Sequence, residues 1–353
     1  MNTYYYGKQI YQFSYSKPIY EAIGGTFIVY KQRNWFEYKY YLRGMNNDPN
    51  YKSFFNTPPV LVRDYNHLTD IKGVLLTHSA RRLTTNPHTC RTIYLGHGSG
   101  DKVFGGKGKF MDSFDYYFLP GPKMKEKLLD VGKKIPEERL IKIGNPRFDD
   151  LVNGKIKKED VLDRIGVKDR SRPTVLYAPT WRFGNGTFKK YAYKFAAEIT
   201  KEFNLIIRPH YHDTKRIHKL NLWAKFKGIK NLYFSDSSDL IKADTMLDFI
   251  ASDIMISDTS SVLYEYLITG KPIVVARNDY SKLHKMPEEL DIMNYVDLYD
   301  GKEDINKMLS DALSLQKYKN DYSEMLPRIF YFNDGKSTER SVEYIKKLQK
   351  ELS

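Results

Sequence analysis

Leu95-Gly-His-Gly-Ser-Gly-Asp-Lys102 sets His97 between two glycines, directly after an apolar run that reads as a strand. Glycine neighbours remove steric cover from an imidazole. A neutral histidine, whose unperturbed pKa lies near working pH, can take a proton from a hydroxyl. A histidine held on a loop carbonyl for structural reasons would have the same neighbours. Three more polar constellations end apolar runs in the second half of the chain. Tyr177-Ala-Pro-Thr-Trp-Arg182 offers Thr180 and Arg182, and Ile206-Ile-Arg-Pro-His210 offers Arg208 and His210, with Pro209 fixing the turn between them. Ser257-Asp-Thr-Ser-Ser261 offers Thr259, Ser260 and Ser261. Cations and imidazole donors at strand ends can meet a diphosphate. Hydroxyls and backbone N–H groups at a helix N-terminus can hold a phosphate. Arg208 serves equally well as a structural ion pair, Trp181 as a core residue, and the Ser/Thr turn as an ordinary helix cap.

The elements that must position these residues follow from the apolar pattern. Ile254-Met-Ile256 reads as a strand, Asp258 to Ser261 as N-cap chemistry, and Val262, Leu263, Tyr266 and Leu267 as the apolar stripe of a helix closed by Gly270. Pro272-Ile-Val-Val275 starts the next strand. The first half shows strand-like runs at 26–30, 60–62, 73–77, 92–95, 116–119 and 140–143, and the second at 174–177, 204–207 and 231–234. Helical patterns cover 123–132, 191–203 and 337–353. The polar and charged stretch Asn153 to Arg172, with a short helix, reads as the linker. Short buried strands alternating with helices imply parallel sheets, and ligands of such sheets bind outside the carboxyl ends of the strands. The pattern predicts two doubly wound α/β domains facing a central cleft: 1–155, 156–335, and a last helix at 336–353 packing back on the first domain.

A chain of 353 residues exceeds what one core usually supports. The single Cys90 excludes an internal disulfide and fits a reducing compartment. No run reaches the roughly 18 apolar residues a membrane span needs, and the first residues lack the pattern of a signal peptide. His78, His88, His212, His218 and His284 lack metal-ligand spacing, so no metal site is expected. The net charge of +14 favours an anionic partner. Dispersed Lys and Arg residues without a nucleic-acid module argue against nucleic acid. Lys123, Lys125, Lys127, Lys133 and Lys134 form the densest basic cluster and are the candidates for an anionic membrane surface.

The ordered set Gly-His-Gly-Ser, Gly144-Asn-Pro-Arg-Phe-Asp149, Tyr-Ala-Pro-Thr-Trp-Arg, Arg-Pro-His, Ser-Asp-Thr-Ser-Ser and Gly-Lys-Pro-Ile resembles the CDP-glycerol glycerophosphotransferase family over about residues 90–280. Two places depart from the family pattern. His97-Gly-Ser-Gly-Asp-Lys102 replaces the usual His-Gly-Thr-Pro-Leu-Lys, and Thr259 replaces a tyrosine. The resemblance implies a GT-B-like fold with the acceptor domain first and the nucleotide domain second. It implies His97 as base, His210 on the donor phosphates, and a donor site that includes Thr180, Arg182, Arg208, Thr259, Ser260, Ser261 and Glu265. Gly144 to Asp149 reads as an architectural crossing pinned by Arg147 and Asp149.

The expected reaction is transfer of glycerol phosphate, or a related polyol phosphate, from a CDP-linked donor to a lipid-linked acceptor in teichoic acid or capsule-like polymer synthesis. It would take place at the inner face of the cell membrane and use no cofactor beyond the donor. A single-addition, primase-like role is favoured over polymerisation, and the oligomeric state stays open. A GT-B glycosyltransferase or 2-epimerase acting on a UDP-sugar, and a non-catalytic scaffold, are the alternatives.

Overall fold

The computed structural model describes residues 1–46, 59–104, 108–237, 244–280, 282–284, 286–315 and 319–353. The chain divides into two compact units. The first comprises Met1–His97, Val103–Asn153 and Ile329–Ser353, and the second Gly98–Lys102 and Gly154–Arg328.

The first unit is built on seven parallel strands: β1 (Asn2–Gly7), β2 (Thr26–Val29), β3 (Val60–Val62), β4 (Gly73–Thr77), β5 (Cys90–Tyr94), β6 (Tyr116–Leu119) and β7 (Leu140–Lys142). Their order is β3-β2-β1-β4-β5-β6-β7, so the winding reverses between β1 and β4. β4 is buried along its whole length, which is why it reads as a continuous apolar run rather than an alternating one. β1 is the strand that the apolar pattern misses. Its Thr3-Tyr-Tyr-Tyr6 run is buried because aromatic rings suit a pleated, packed surface. The Tyr5 hydroxyl escapes the apolar interior by donating to the Gly24 carbonyl.

The second unit holds six parallel strands: β8 (Thr174–Ala178), β9 (Asn204–Ile207), β10 (Leu232–Phe234), β11 (Ile254–Ser257), β12 (Ile273–Ala276) and β13 (Asp297–Tyr299). The order is β10-β9-β8-β11-β12-β13, with the reversal between β8 and β11. Val175, Tyr177, Leu205, Ile207, Ile254 and Ile256 pack with Phe195 and Ala196 of the helix Phe188–Glu198 in its core. Each such large side chain contributes about 1.5–3 kcal/mol by leaving water.

Several elements differ from the sequence expectation. The short helix expected within 153–172 is Lys158–Ile165, which packs on the second unit rather than crossing freely: it buries Val161 and Leu162, and Lys158 pairs with Asp253, whose other oxygen accepts from the Thr174 N–H. The helix expected from Val262 to Gly270 is one α-turn, Val262–Tyr266, continued by a 3-10 turn, Leu267–Thr269, before Gly270 at φ +63°. Asp149 acts on the last helix, Ser337–Glu351: its two carboxylate oxygens accept from the Ser337 and Thr338 N–H groups at 3.1 and 2.7 Å. It thereby supplies the acceptor that a helix start requires. Arg147 instead lies over the Tyr15 ring, 4.4 Å from its centre.

The expected basic cluster lies only partly at the surface. Lys123 and Lys127 are buried, at 1% and 4% exposure, and Lys127 lies over the Phe104 ring. Lys125 pairs with Glu137 at 2.8 Å and Lys133 with Asp112 at 2.9 Å. The helix Pro122–Asp130 turns its i, i+4 lysines inward, which a count of charges along the sequence does not register. Among the described residues, no helix is long and apolar enough to cross a membrane.

Candidate active site

In both units the polar constellations sit at the carboxyl ends of strands beside the winding reversal, where open α/β sheets bind ligands. In the first unit these are His78 after β4 and His97 after β5. In the second they are Thr180 after β8, His210 after β9 and Asp258–Ser261 after β11.

His97 stands between Gly96 at φ +72° and Gly98 at φ +110°, a backbone path that side-chain-bearing residues resist. Its Nδ1–H donates to the His78 carbonyl at 2.6 Å, so the neutral ring keeps Nε2 as its proton-accepting nitrogen. The partner is itself held in place. His78 Nδ1–H donates to the Gly96 carbonyl at 2.6 Å, and its Nε2 accepts from the Ser16 hydroxyl at 3.0 Å. The two histidines thus brace one another's loops. The His97 edge is open to solvent although protein atoms crowd the ring. That crowding, with Lys127 nearby, lowers its pKa against the opposing pull of the His78 carbonyl. Burial pushes His78 down to about 4.

In the second unit a buried carboxylate organises the loops. Asp258 has no exposure and accepts from the Thr180 N–H, the Thr187 N–H and the Thr187 hydroxyl at 2.8, 2.8 and 2.9 Å. Asp258 therefore does not cap the following helix. No cap hydrogen bond comes from Ser261 either, and the Ser260 N–H is bonded to the Asp258 carbonyl. A single turn has few aligned peptide dipoles, and the half-exposed hydroxyls of Ser260 and Ser261 are the side-chain groups it offers to a phosphate. Thr259 accepts from Asn278 Nδ2 at 2.8 Å.

Lys102, a residue that sequence reasoning passed over, enters this group. The segment Gly98–Lys102 lies with the second unit, joined through a bridge between Lys102 and Leu283. A Cβ at Gly100 would come within 2.9 Å of Ser261 Cα, so glycine is what lets the segment lie against that turn. Lys102 Nζ donates to Thr180 Oγ1 and sits 5.2 Å from the Tyr280 ring centre. Burial lowers its pKa to about 8, with Asp258 pulling the other way, so it stays mostly charged at pH 7. Its sequence signal was its place five residues after His97, where the family pattern also ends in lysine.

His210 takes the tautomer opposite to His97. Its Nδ1 accepts from the His212 N–H at 3.3 Å, leaving Nε2 as the protonated, donating nitrogen. Burial first, then His212 and Lys102, lower its pKa to about 4. The ring lies 5.8 Å from Trp181, which also stacks near His212 and Phe183.

Three expected donor contacts fare differently. Arg208 is engaged in a buried pair: Nη1 donates to Asp248 Oδ2 at 2.8 Å and to Ser235 at 3.1 Å, with the side chains 11% and 2% exposed. It is a structural ion pair holding β9 to the helix Thr245–Ala251. Glu265 is 1% exposed, because it falls on the inward side of its turn. Arg182 is exposed and lies over the Phe183 ring, while its N–H donates to Asp213. Among the described residues, no group of three or more His, Cys, Asp or Glu side chains could hold a metal ion.

Two all-parallel α/β units, each with polar residues at its winding reversal, define a GT-B-like protein. The chain belongs to the CDP-Glycerol:Poly(glycerophosphate) glycerophosphotransferase family, whose model matches residues 106–347. It is similar to the teichoic acid ribitol-phosphate polymerase TarL of Staphylococcus aureus, 29% identical over 59% of this chain and 37% of that protein. The chain thus spans well under half the length of that relative. It is also similar to the teichoic acid glycerol-phosphate primase of Bacillus subtilis, 24% identical over 84% of this chain and 81% of the primase. Among solved structures, the wall teichoic acid polymerase TagF shares the fold at a TM-score of 0.68 and 18% identity, covering 99% of this chain and 89% of that one.

Proposed function

We propose that the protein transfers glycerol phosphate, or a related polyol phosphate, from a CDP-linked donor to a hydroxyl of a lipid-linked acceptor in teichoic acid or capsule-like polymer synthesis. Family membership supports the reaction class. The observation that carries the mechanism is the His97 hydrogen bond to the His78 carbonyl, which turns a lone pair rather than an N–H to the accessible edge. In the proposed step the acceptor O–H gives its proton to His97 Nε2. Its oxygen forms a bond to the phosphorus that carries the polyol, and the bond from that phosphorus to the bridging oxygen breaks. CMP leaves with the electron pair. Lys102 and the His210 Nε2–H, neighbours in the second unit, meet the charge that grows on the leaving phosphate. The donor brings its own activated phosphate, so the step as written uses no further group. A lipid-linked acceptor implies work at the inner face of the cell membrane, and the match along most of a primase favours single addition.

The test is thermal unfolding with nucleotides, joined to transfer from CDP-glycerol. A ligand at 100 times its Kd adds about 2.7 kcal/mol of stability, a shift of roughly 5–11 °C for domains of this size. CDP-glycerol and CMP should give it and UDP-sugars should not. A shift with UDP-sugars alone would replace this reading with sugar-nucleotide chemistry.

A further inference from the structure

The second unit contains a cavity of about 110 Å³ lined by Asp101, Thr259, Ser260, Tyr264, His284 and Met293, among others. One wall belongs to the segment Gly98–Lys102. There the Tyr264 hydroxyl donates to Asp101 Oδ2 at 2.6 Å, and the Asp101 carbonyl accepts from the His284 N–H at 2.7 Å. The chain bends at Asp101, and the side chains of Asp101 and Lys102 go to different places. Lys102 reaches Thr180, beside His210, while Asp101 turns into the cavity. Ser260 and Thr259 close the side nearest the end of β11.

This layout puts a small pocket one residue away from the cationic locus where a diphosphate would lie. A donor of the form nucleoside–diphosphate–polyol presents two ends to such a pocket. Size separates them. At about 110 Å³ the cavity falls below the roughly 300–1,000 Å³ of pockets that enclose a drug-sized ligand, a scale that suits a polyol arm of a few carbons better than a whole nucleoside. Its chemistry agrees: a carboxylate, a phenol and two aliphatic hydroxyls read vicinal OH groups, and Leu263 and Met293 face the carbon chain. The sequence adds an independent pointer. The chain departs from the family pattern in two places, at Ser99, Gly100 and Asp101 in the first and at Thr259 in the second, and the structure brings Asp101 of one and Thr259 of the other to this cavity.

We propose that the Asp101–Thr259–Tyr264 cavity binds the polyol arm of the CDP-linked donor and selects which alcohol phosphate is transferred. The inference rests on the transfer reading above. Asp101→Asn and Thr259→Val are compared with the wild-type protein by calorimetric titration with CDP-glycerol, CDP-ribitol and CMP, with unfolding midpoints checked for each variant. Losing a hydrogen bond to a charged group should weaken binding of the preferred CDP-polyol roughly 10- to 100-fold in Asp101→Asn. CMP affinity should stay within about twofold. Thr259→Val, which keeps shape and removes one hydroxyl, should change the ratio between the two CDP-polyols and serves if Asp101→Asn does not fold. Unchanged CDP-polyol affinity in both variants, or an equal loss for CMP, would overturn the proposal and assign the cavity to other use or to the ribose. Wild-type protein that binds no CDP-linked compound at all would instead overturn the transfer reading.

Discussion

His97 and His210 are both neutral at physiological pH, yet a single hydrogen bond on each sets them to opposite tasks. His97 spends its N–H on the His78 carbonyl and keeps a lone pair. His210 accepts from the His212 N–H and keeps a donor. Replacing His97 by Ala should lower kcat by about 10²–10⁴-fold while CMP affinity, read by titration, stays at the wild-type level. The lowered His97 pKa means that the base stays deprotonated further into acid than an ordinary histidine. The acid limb of kcat/KM against pH should therefore lie below the ordinary value of about 6.5.

His78 gives a stability prediction of definite sign. Its folded pKa of about 4 lies below the unfolded value of 6.5, so the unfolded chain binds more protons between the two. Stability is fully present above about 6.5 and is lost as pH falls towards 4, by up to about 3 kcal/mol. Urea unfolding of wild type and His78→Gln at pH 7 and pH 4.5 should show the acid loss shrinking in the variant.

At the scale of elements, the strand ends of the second unit are held by Asp258 more than by any helix. The register that pairs Ile256 with Tyr177 and Ser257 with Ala178 brings Asp258 level with the loop after β8, where three donors converge on it. Asp258→Asn keeps the shape but turns an amide NH2 towards backbone N–H groups. Leaving buried donors unmet costs about 1–3 kcal/mol each, so the variant should lose about 2–4 kcal/mol in urea unfolding. Donor affinity should fall with it, because Thr180 is the partner of Lys102.

For the whole molecule, the charge of +14 is spread rather than gathered into the helix Pro122–Asp130. Association with an anionic membrane, as the proposed acceptor requires, would draw on that spread. Binding to vesicles containing anionic lipid should therefore fall steadily as salt shortens the Debye length. Lys134, exposed in the cluster, should matter little. Lys134→Ala should change co-sedimentation by less than the roughly fivefold that a lysine seated on the surface contributes, about 1 kcal/mol. A loss of fivefold or more would restore the cluster as a membrane patch.

Sequence alone determined the parallel α/β class and the places of the candidate residues. Strands buried on both faces, such as β4, β8 and β11, must be continuous apolar runs, and the residues that end them must be at the carboxyl edge. β1 stayed hidden because its burial is carried by tyrosines, and β13 because three residues, Asp-Leu-Tyr, carry too little pattern. What each candidate does was decided only in three dimensions. Arg208 meets Asp248, forty residues away, and spends its Nη1 on that pair. Lys123 and Lys127 point inward, and Lys102 joins Thr180 from seventy-eight residues away. The His97 tautomer depends on a carbonyl nineteen residues earlier. Local spacing constrains backbone conformation, whereas the partner of a buried charge or ring nitrogen is fixed by which strands lie side by side, and that order is a property of the folded sheet.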